Sequence, residues 1–397
     1  MSSTTFLRGG THTNLVPQIW SKADFKAAFE ANPFFKYMGV GDTNLVQVKQ
    51  ELLKEKGDKI TFALRALLTG SGQGDDGEYE GNEEAMVFYD DSIQIYERGH
   101  SVLLSGNKTE QSAYADLREK GRSAIQEWTG RVIARGIVDA LSGLTTKSFA
   151  GQITGANAVD YTSTALSVVN QTAVSKSATA TRWFGGGQTT AGVLSRVATD
   201  ALITDASSAH RFGTLVISHV KRMATKTINS STGAAVTPIR PIVVNGKKYF
   251  LMFADPWQIK DLRKETAWLQ AQREANVRGS ENPIFSGAEG IWDGVVLHES
   301  ELLHRRTGAG GITAPEYFDS TSDACYSGTT VARGLFCGAQ SVGLAWGKKP
   351  TWTDGYKDWQ KTKWGTHTNM LMGFKKFQFN SEDFGCIVVD TAINETD

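Results

Sequence analysis

Between Lys108 and Ser142 the chain runs 35 positions without a proline, and apolar residues recur at Leu117, Ala124, Ile125, Trp128, Val132, Ile133, Ile137, Ala140 and Leu141. Steps of three and four place those side chains on one face of an α-helix. Asn107 and Glu110 have the spacing of a capping pair, and Gly143 is a suitable stop. At 1.5 Å per residue the helix is roughly 50 Å long, which is long for a globular core and common in elongated assembly subunits. Gly121, Gly130 and Gly136 lie within it. Each costs up to about 1 kcal/mol against alanine, so a bend or a close backbone contact is expected there.

The segment before this helix reads as an extended hairpin. Ile60, Phe62, Leu64, Ala66 and Leu68 alternate on one face of a strand, and β-type residues resume at Val87, Phe88, Tyr89, Ile93, Ile95 and Tyr96. Between them lies a polar, glycine-rich tip containing GQGDDG at Gly72 to Gly77. Its spacing is that of a dinucleotide-binding turn, but such a turn needs a strand before the glycines and a helix after them. Here more polar residues and a strand follow. Eight acidic side chains fall between Asp75 and Asp91, with no Lys or Arg among them. A phosphate there meets repulsion of about 1 kcal/mol per close pair even at water-like dielectric. The calcium-loop pattern also fails on DDGEYEGNEE, which leaves weak cation binding or a solvated polar tip.

Elsewhere the chain reads α+β. The first 50 residues are an arm holding a short helix around Phe25, Ala28 and Phe29 that stops at Pro33. Residues 144–195 are rich in Thr, Ser, Ala and Gly and read as a loop-rich surface, with GGGQTTAG at Gly185 to Gly192 as a flexible link. Two helical patterns follow, one through Ala201 and Ile203, one through Leu215, Ile217, Val220 and Met223. Asn245–Gly246 marks a two-residue hairpin turn, and Pro256 opens a helix running through PWQIKDLRKETAWLQAQREA. GVVLHES, RGLFCGAQSVGLAW and FGCIVVDTA are short strands.

Catalytic and metal signatures fail. HESELLH places His304 six residues after His298, so the two do not share a helix face as zinc ligands, and both read as structural histidines. Cys325, Cys337 and Cys386 form no CxxC pair; an odd, sparse set suits free thiols in a reducing cytosol. There is no G-x-S-x-G elbow and no phosphate-binding G-x-x-x-x-G-K-[ST] loop. No metal or cofactor is expected. No segment has the length and apolarity of a membrane span or signal peptide. Lys and Arg total 42 and Asp and Glu total 42, a balance unsuited to a protein that holds DNA chiefly by its phosphates and permissive of dense self-association.

Trp346, Trp352, Trp359 and Trp364 are interleaved with Lys348, Lys349, Lys357, Lys361 and Lys363. Such a pattern can stack bases, but packing is the commoner use of tryptophan. The charges suggest another role. Asp75, Asp76, Glu78, Glu80, Glu83 and Glu84 on the tip complement those lysines, and contact between neighbouring copies is the expectation.

The order of elements, with the stretches GDKITFALRALLTGSGQGDDGEYEGNEEAM, SAYADLREKGRSAIQEWTGRVIARGIVDALSG, IRPIVVNGKKYFLMFADPWQIKDLR, ENPIFSGAEGIWDGVVLHES and RGLFCGAQSVGLAWG, resembles the major capsid proteins of tailed bacteriophages, nearest the N-four-type podophage family. The SEDFGC closing strands match less closely. The resemblance implies an α+β capsid fold with an N-terminal arm at 1–50 and an extended loop at 51–105 with its tip at 69–85. It implies a peripheral domain at 106–197 with a spine helix at 108–142, an axial domain at 198–340, and closing strands at 341–397. It further implies a non-enzymatic subunit forming hexamers and pentamers, tiled into an icosahedral shell around double-stranded DNA that is not read by sequence. The spine helix would face the packaged DNA, and the axial domain the capsomer centre. A separate scaffolding protein, a portal protein and a decoration protein are the implied partners, with assembly in the bacterial cytoplasm. A decoration or tail component, or an enzyme with a hidden constellation, are the competing readings.

Overall fold

The computed structural model describes residues 33–51, 57, 59–65, 74, 77, 80–104, 117–142, 145–146, 158–159, 182–189, 192–196, 203, 210–226, 237–244, 246–275, 289–303, 305–307, 311–313, 330–357, 363–379 and 382–393. The N-terminal helix around Phe25, the capping pair at Asn107 and the stop at Gly143 lie outside them.

A 3-10 turn, Pro33–Tyr37, leads into β1 (Met38–Gly39) and β2 (Val46–Lys49). Next come β3 (Lys59–Arg65), β4 (Phe88–Gln94), β5 (Tyr96–Leu103) and α1 (Leu117–Leu141). The middle of the chain supplies β6 (Thr145–Thr146), β7 (Ala158–Val159), β8 (Trp183–Gln188), β9 (Leu194–Arg196) and α2 (Thr214–Thr225). Then follow β10 (Ile242–Val244), β11 (Lys247–Ala254), α3 (Pro256–Arg263), α4 (Thr266–Ala275), β12 (Gly290–Trp292), β13 (Val295–Glu299), β14 (Arg305–Thr307) and β15 (Gly311–Thr313). The chain continues through β16 (Thr330–Cys337), β17 (Val342–Tyr356), β18 (Trp364–Lys376), β19 (Gln378–Phe379), β20 (Glu382–Asp383) and β21 (Cys386–Ile393). Two compact units result.

The larger unit holds a ten-stranded mixed sheet whose main path is β12-β13-β11-β16-β21-β8-β9. Its central strands β13 and β21 and the second half of β11 are buried on both faces because each face is covered. Phe250, Met252, Val295, Leu297, Phe336, Ile387 and Val389 point to one side and pack with Val216, Ile217 and Val220 of α2, Ile259 and Leu262 of α3 and Trp268 of α4. On the other side Phe253 meets Phe34 at 4.3 Å between ring centroids, and Arg333 donates to the Ser142 carbonyl at the end of α1. Each large apolar side chain buried this way contributes about 1.5–3 kcal/mol. Below the sheet's middle, the Arg333 guanidinium forms two hydrogen bonds to the Asp390 carboxylate at 2.9 and 3.0 Å, and Trp183 Nε1 donates to it at 2.8 Å.

Several sequence expectations hold. Val244 pairs with Lys247, the register of a two-residue hairpin turn, and Gly246 has φ 76°, a left-handed value that glycine tolerates. Asp255 caps α3 through Trp257 N, Gln258 closes a capping box, and Pro256 occupies the first turn.

Others are corrected. The Gly185–Gly192 stretch is no link at its start: Trp183–Gln188 is the strand β8, buried over most of its length, between β21 and β9. Its glycines serve close approach, since a Cβ on Gly187 would lie 2.0 Å from the His210 carbonyl carbon. The helix from Pro256 is two helices, broken at Lys264 and Glu265. At that break the Glu265 carboxylate binds the start of α2, accepting from Thr214 N at 2.8 Å and Thr214 Oγ1 at 2.6 Å. In α2 the buried face runs through Thr214, Val216, Ile217, Val220 and Met223, while Leu215 is exposed. Ile203 lies in no helix and is buried with Val331 and Ala392.

The described part of α1 begins at Leu117. Its buried stripe in the first half is Gly121, Ile125 and Thr129, a strict four-residue repeat, and Ala124 is exposed. From Ile133 to Leu141 every residue is buried, so this half has no polar face, and Arg135 and Asp139 are enclosed with it. The expected close contact occurs at Gly136, where a Cβ would lie 2.4 Å from the Phe374 ring; Gly121 has ordinary room.

The smaller unit contains the described parts of 100–128 and 352–368. Arg118 lies 5.4 Å from the Trp364 ring centroid and 5.8 Å from that of Tyr356, and Arg122 is 5.6 Å from Trp364. Arg122 also forms an ion pair with Asp354 at 2.6 Å. His100 stacks on Trp128 at 4.9 Å. Guanidinium groups over indole faces bind the start of α1 to the strand ends of β17 and β18.

Candidate functional site

The hairpin β3–β4 is paired from Lys59↔Gln94 to Arg65↔Phe88. Alternation buries Ile60 and Phe62 and leaves their neighbours exposed. At the base, Ile60, Phe62 and Ile93 form one cluster with Ala345 and Phe377, and the Phe62 and Phe377 rings meet edge-on at 4.7 Å. Asp91 fixes this base. Its carboxylate accepts from Ser92 N at 2.8 Å and Gln378 N at 3.0 Å, and pairs with Lys375. Sequence counted Asp91 with the solvated acidic run; it is buried and bound. Three backbone or ammonium donors satisfy a carboxylate that would otherwise be too costly to enclose.

Toward the tip the character changes. Gly77 N donates to the Gly74 carbonyl at 3.1 Å, a tight turn inside the GQGDDG stretch. Gly81 has φ 86°, and its N–H donates to the Glu83 carboxylate at 2.9 Å. Glu80, Glu83 and Glu84 are exposed; Asp75, Asp76 and Glu78 lie outside the described residues. Adjoining the acids, Met86, Val87 and Phe88 are 59%, 46% and 60% exposed. Three consecutive apolar side chains cannot share one face of a strand, so some must meet solvent in a lone chain. The run AMVF beside EE was the signal for this patch, and residue-type reading took it only for strand propensity.

The predicted lysines fall on β17 and beyond it. Lys348 and Lys349 are exposed in the larger unit; Lys357 and Lys363 are exposed in the smaller one, joined by a backbone hydrogen bond of 2.9 Å. Lys361 and Trp359 lie outside the described residues. Trp346 and Trp364 are buried, as packing requires, whereas Trp352 and Tyr356 are exposed. Strand β2 pairs with β17 only from Val342 to Ala345, so among the described residues no strand borders that edge beyond Ala345. An open edge with exposed aromatics and lysines on both faces is suited to a partner chain.

Among the described residues, which do not include His304 or Cys325, no catalytic arrangement emerges from the histidines and thiols. His298 is buried and shares a 2.6 Å hydrogen bond with Tyr37, whose hydroxyl burial pushes up to about 12. Cys337 and Cys386 face each other across β16 and β21 as buried free thiols 3.9 Å apart, and burial pushes the Cys337 thiol well up, away from the reactive thiolate. Among the described residues no group of three or more His, Cys, Asp or Glu could hold a metal, and no helix is long and apolar enough to cross a membrane.

Comparisons with known proteins agree with one another. The family described as phage capsid protein matches residues 13–395. The major capsid protein of Pseudomonas phage KPP25 is 26% identical over 393 residues, 96% of each chain. Among solved structures, the capsid of Ralstonia phage GP4 has a TM-score of 0.74 at 23% identity, covering 100% of both chains. The capsid asymmetric unit of cyanophage Pam1 has a TM-score of 0.70 at 22% identity, covering 98% of this chain and 99% of that one. Both share the fold.

Proposed function

The chain belongs to the phage capsid protein family, a major capsid protein of the head shell, and we propose that it assembles into hexamers and pentamers that tile an icosahedral shell around double-stranded DNA. The observation that carries this reading is the hairpin β3–β4: firmly anchored at its base, yet exposing Met86, Val87 and Phe88 beside an acidic tip. An anchored apolar patch rimmed by charge is the signature of an interface. Its counterpart is the exposed β17 region of a neighbouring copy, where Lys348, Lys349, Lys357, Lys361 and Lys363 complement Asp75, Asp76, Glu78, Glu80, Glu83 and Glu84. Opposite charge fixes register and speeds encounter, while the apolar triplet supplies affinity. In this reading residues 1–50, 51–105, 106–197, 198–340 and 341–397 serve as arm, extended loop, peripheral domain, axial domain and closing strands. The subunit is structural rather than catalytic. A scaffolding protein guides its assembly in the bacterial cytoplasm, with portal and decoration proteins as further partners.

The test is electron microscopy of the expressed chain with and without a candidate scaffolding protein. Wild type is expected to give closed shells with the scaffold. Glu80→Lys/Glu83→Lys/Glu84→Lys should stop assembly, and Lys348→Glu/Lys349→Glu/Lys357→Glu should restore part of it. Shell yield unaltered by the tip reversal at every salt concentration would remove the charge pairing from the proposal. A discrete monomer under all conditions would remove the assembly itself.

A further inference from the structure

On α2, Leu215, His219 and Arg222, followed by Lys226 just past its end, recur at steps of four, three and four and so share one face. Arg222 is exposed, and His219 and Lys226 are partly exposed. Arg196 joins them from β9, its Nη2 donating to the Trp183 carbonyl at 3.2 Å, which steadies the guanidinium. The His219 ring rests against Phe184 of the core at 5.5 Å between centroids. Burial, then the positive charges of Arg196, Arg222 and Lys226, hold this imidazole below its ordinary value. Among the described residues the charges that act on it are positive. The next cation on the helix, Lys221, is bound by the Asp293 carboxylate at 2.7 Å and takes no part.

We infer that Arg196, His219, Arg222 and Lys226 form a binding site for phosphate groups of a nucleic-acid backbone. Two guanidinium forks match the oxygens of a phosphate, and a lysine adds a point charge. The partly buried imidazole rim is screened less than a fully solvated surface charge. An anion seated there relieves the repulsion among the cations, and His219 then takes up a proton more readily. Binding therefore strengthens as pH falls. Contacts made to phosphates alone carry no sequence choice. A single such patch on a chain of zero net charge gives a local hold rather than a uniform grip. The inference rests on the shell reading only for the source of the phosphate.

The experiment is fluorescence anisotropy of a short labelled DNA duplex with the full-length subunit, over a range of KCl concentrations, at about pH 6 and about pH 8. The wild type should bind more tightly at the lower pH. Arg196→Gln/Arg222→Gln should make the plot of log affinity against log salt shallower by about 0.9 for each phosphate no longer neutralised. Arg222→Lys should recover part of the affinity. His219→Asn should flatten the pH dependence while leaving binding at the higher pH near wild type. No measurable DNA binding, or a slope unchanged in the double glutamine variant, overturns the site. Displacement of DNA by inorganic phosphate at equal phosphate concentration assigns the site to free phosphate, and equal displacement by polyglutamate assigns it to a carboxylate partner; either overturns the nucleic-acid assignment. Thermal melting confirms folding of each variant. Shell formation by the wild type, followed by electron microscopy, separates the two proposals: shells without DNA affinity sink this one and leave the capsid reading standing.

Discussion

The Arg333–Asp390 pair gives a sharp test of how the large sheet is held. Its side chains are 7% and 2% exposed, so neither charge has a route to bulk water. Arg333→Met takes both guanidinium donors from the buried Asp390 carboxylate, keeps the one from Trp183 Nε1, and frees the Ser142 carbonyl. Asp390→Leu leaves a buried guanidinium. Stranding one charge of a buried pair costs about 3–5 kcal/mol. The double variant strands no charge and loses two hydrogen bonds, at Trp183 and Ser142, costing about 1–3 kcal/mol each. The singles should therefore sum to about 6–10 kcal/mol and the double should cost about 2–6 kcal/mol, a coupling of about 4 kcal/mol at the midpoints. Urea denaturation of the unassembled subunit, followed by tryptophan fluorescence, reads these differences from the transition that reports Trp183. Single costs that add to the double within about 0.5 kcal/mol would refute the pairing as a stabilising unit.

Two further outcomes concern a helix start and a buried hydroxyl. Glu265→Ala removes the acceptor of Thr214 N, Thr214 Oγ1 and Gln188 Nε2; a loss of about 1–2 kcal/mol is expected in urea denaturation, with Glu265→Gln losing less. The Tyr37 hydroxyl, raised from 10.0 to about 12 by burial, stays neutral in the fold where the unfolded chain ionises. Its contribution is complete below pH 10 and is lost as pH rises through about 12, so Tyr37→Phe should flatten the alkaline fall in thermal midpoint, and phenolate absorbance should report one late-titrating tyrosine.

Legibility in the sequence followed how local the cause was. The alternation at Ile60 and Phe62, the two-residue turn ending at Gly246 and the helix start at Pro256 are fixed by neighbours within four residues, and each was readable. β8 was not, because its glycines answer to His210 and to β21, far away in the chain. Glu265 sits at a helix break and binds the start of another helix 51 positions earlier, which periodicity within PWQIKDLRKETAWLQAQREA cannot reveal. The acidic tip and the lysines were visible as composition. The apolar triplet at Met86–Phe88 required burial to be seen, as did the cluster around His219, whose members come from β9 and α2. Asp91 shows the converse: a charge that composition assigns to solvent is a buried fastening when its strand partners are known.

The position of β21 sets the order of events when the chain is made. It lies between β16 and β8, and Trp183 reaches Asp390 across 207 positions of sequence. Until Cys386–Ile393 has left the ribosome, the strands already synthesised form two separate fragments with bare inner edges. Pairings this distant in sequence form slowly, because the intervening loop must close first. The sheet is therefore completed late in synthesis, and a subunit stalled before β21 presents sticky edges rather than a finished surface. Quality control for such a protein falls on the last strand: a copy lacking it is expected to be drawn to chaperones or aggregates and not into a growing shell.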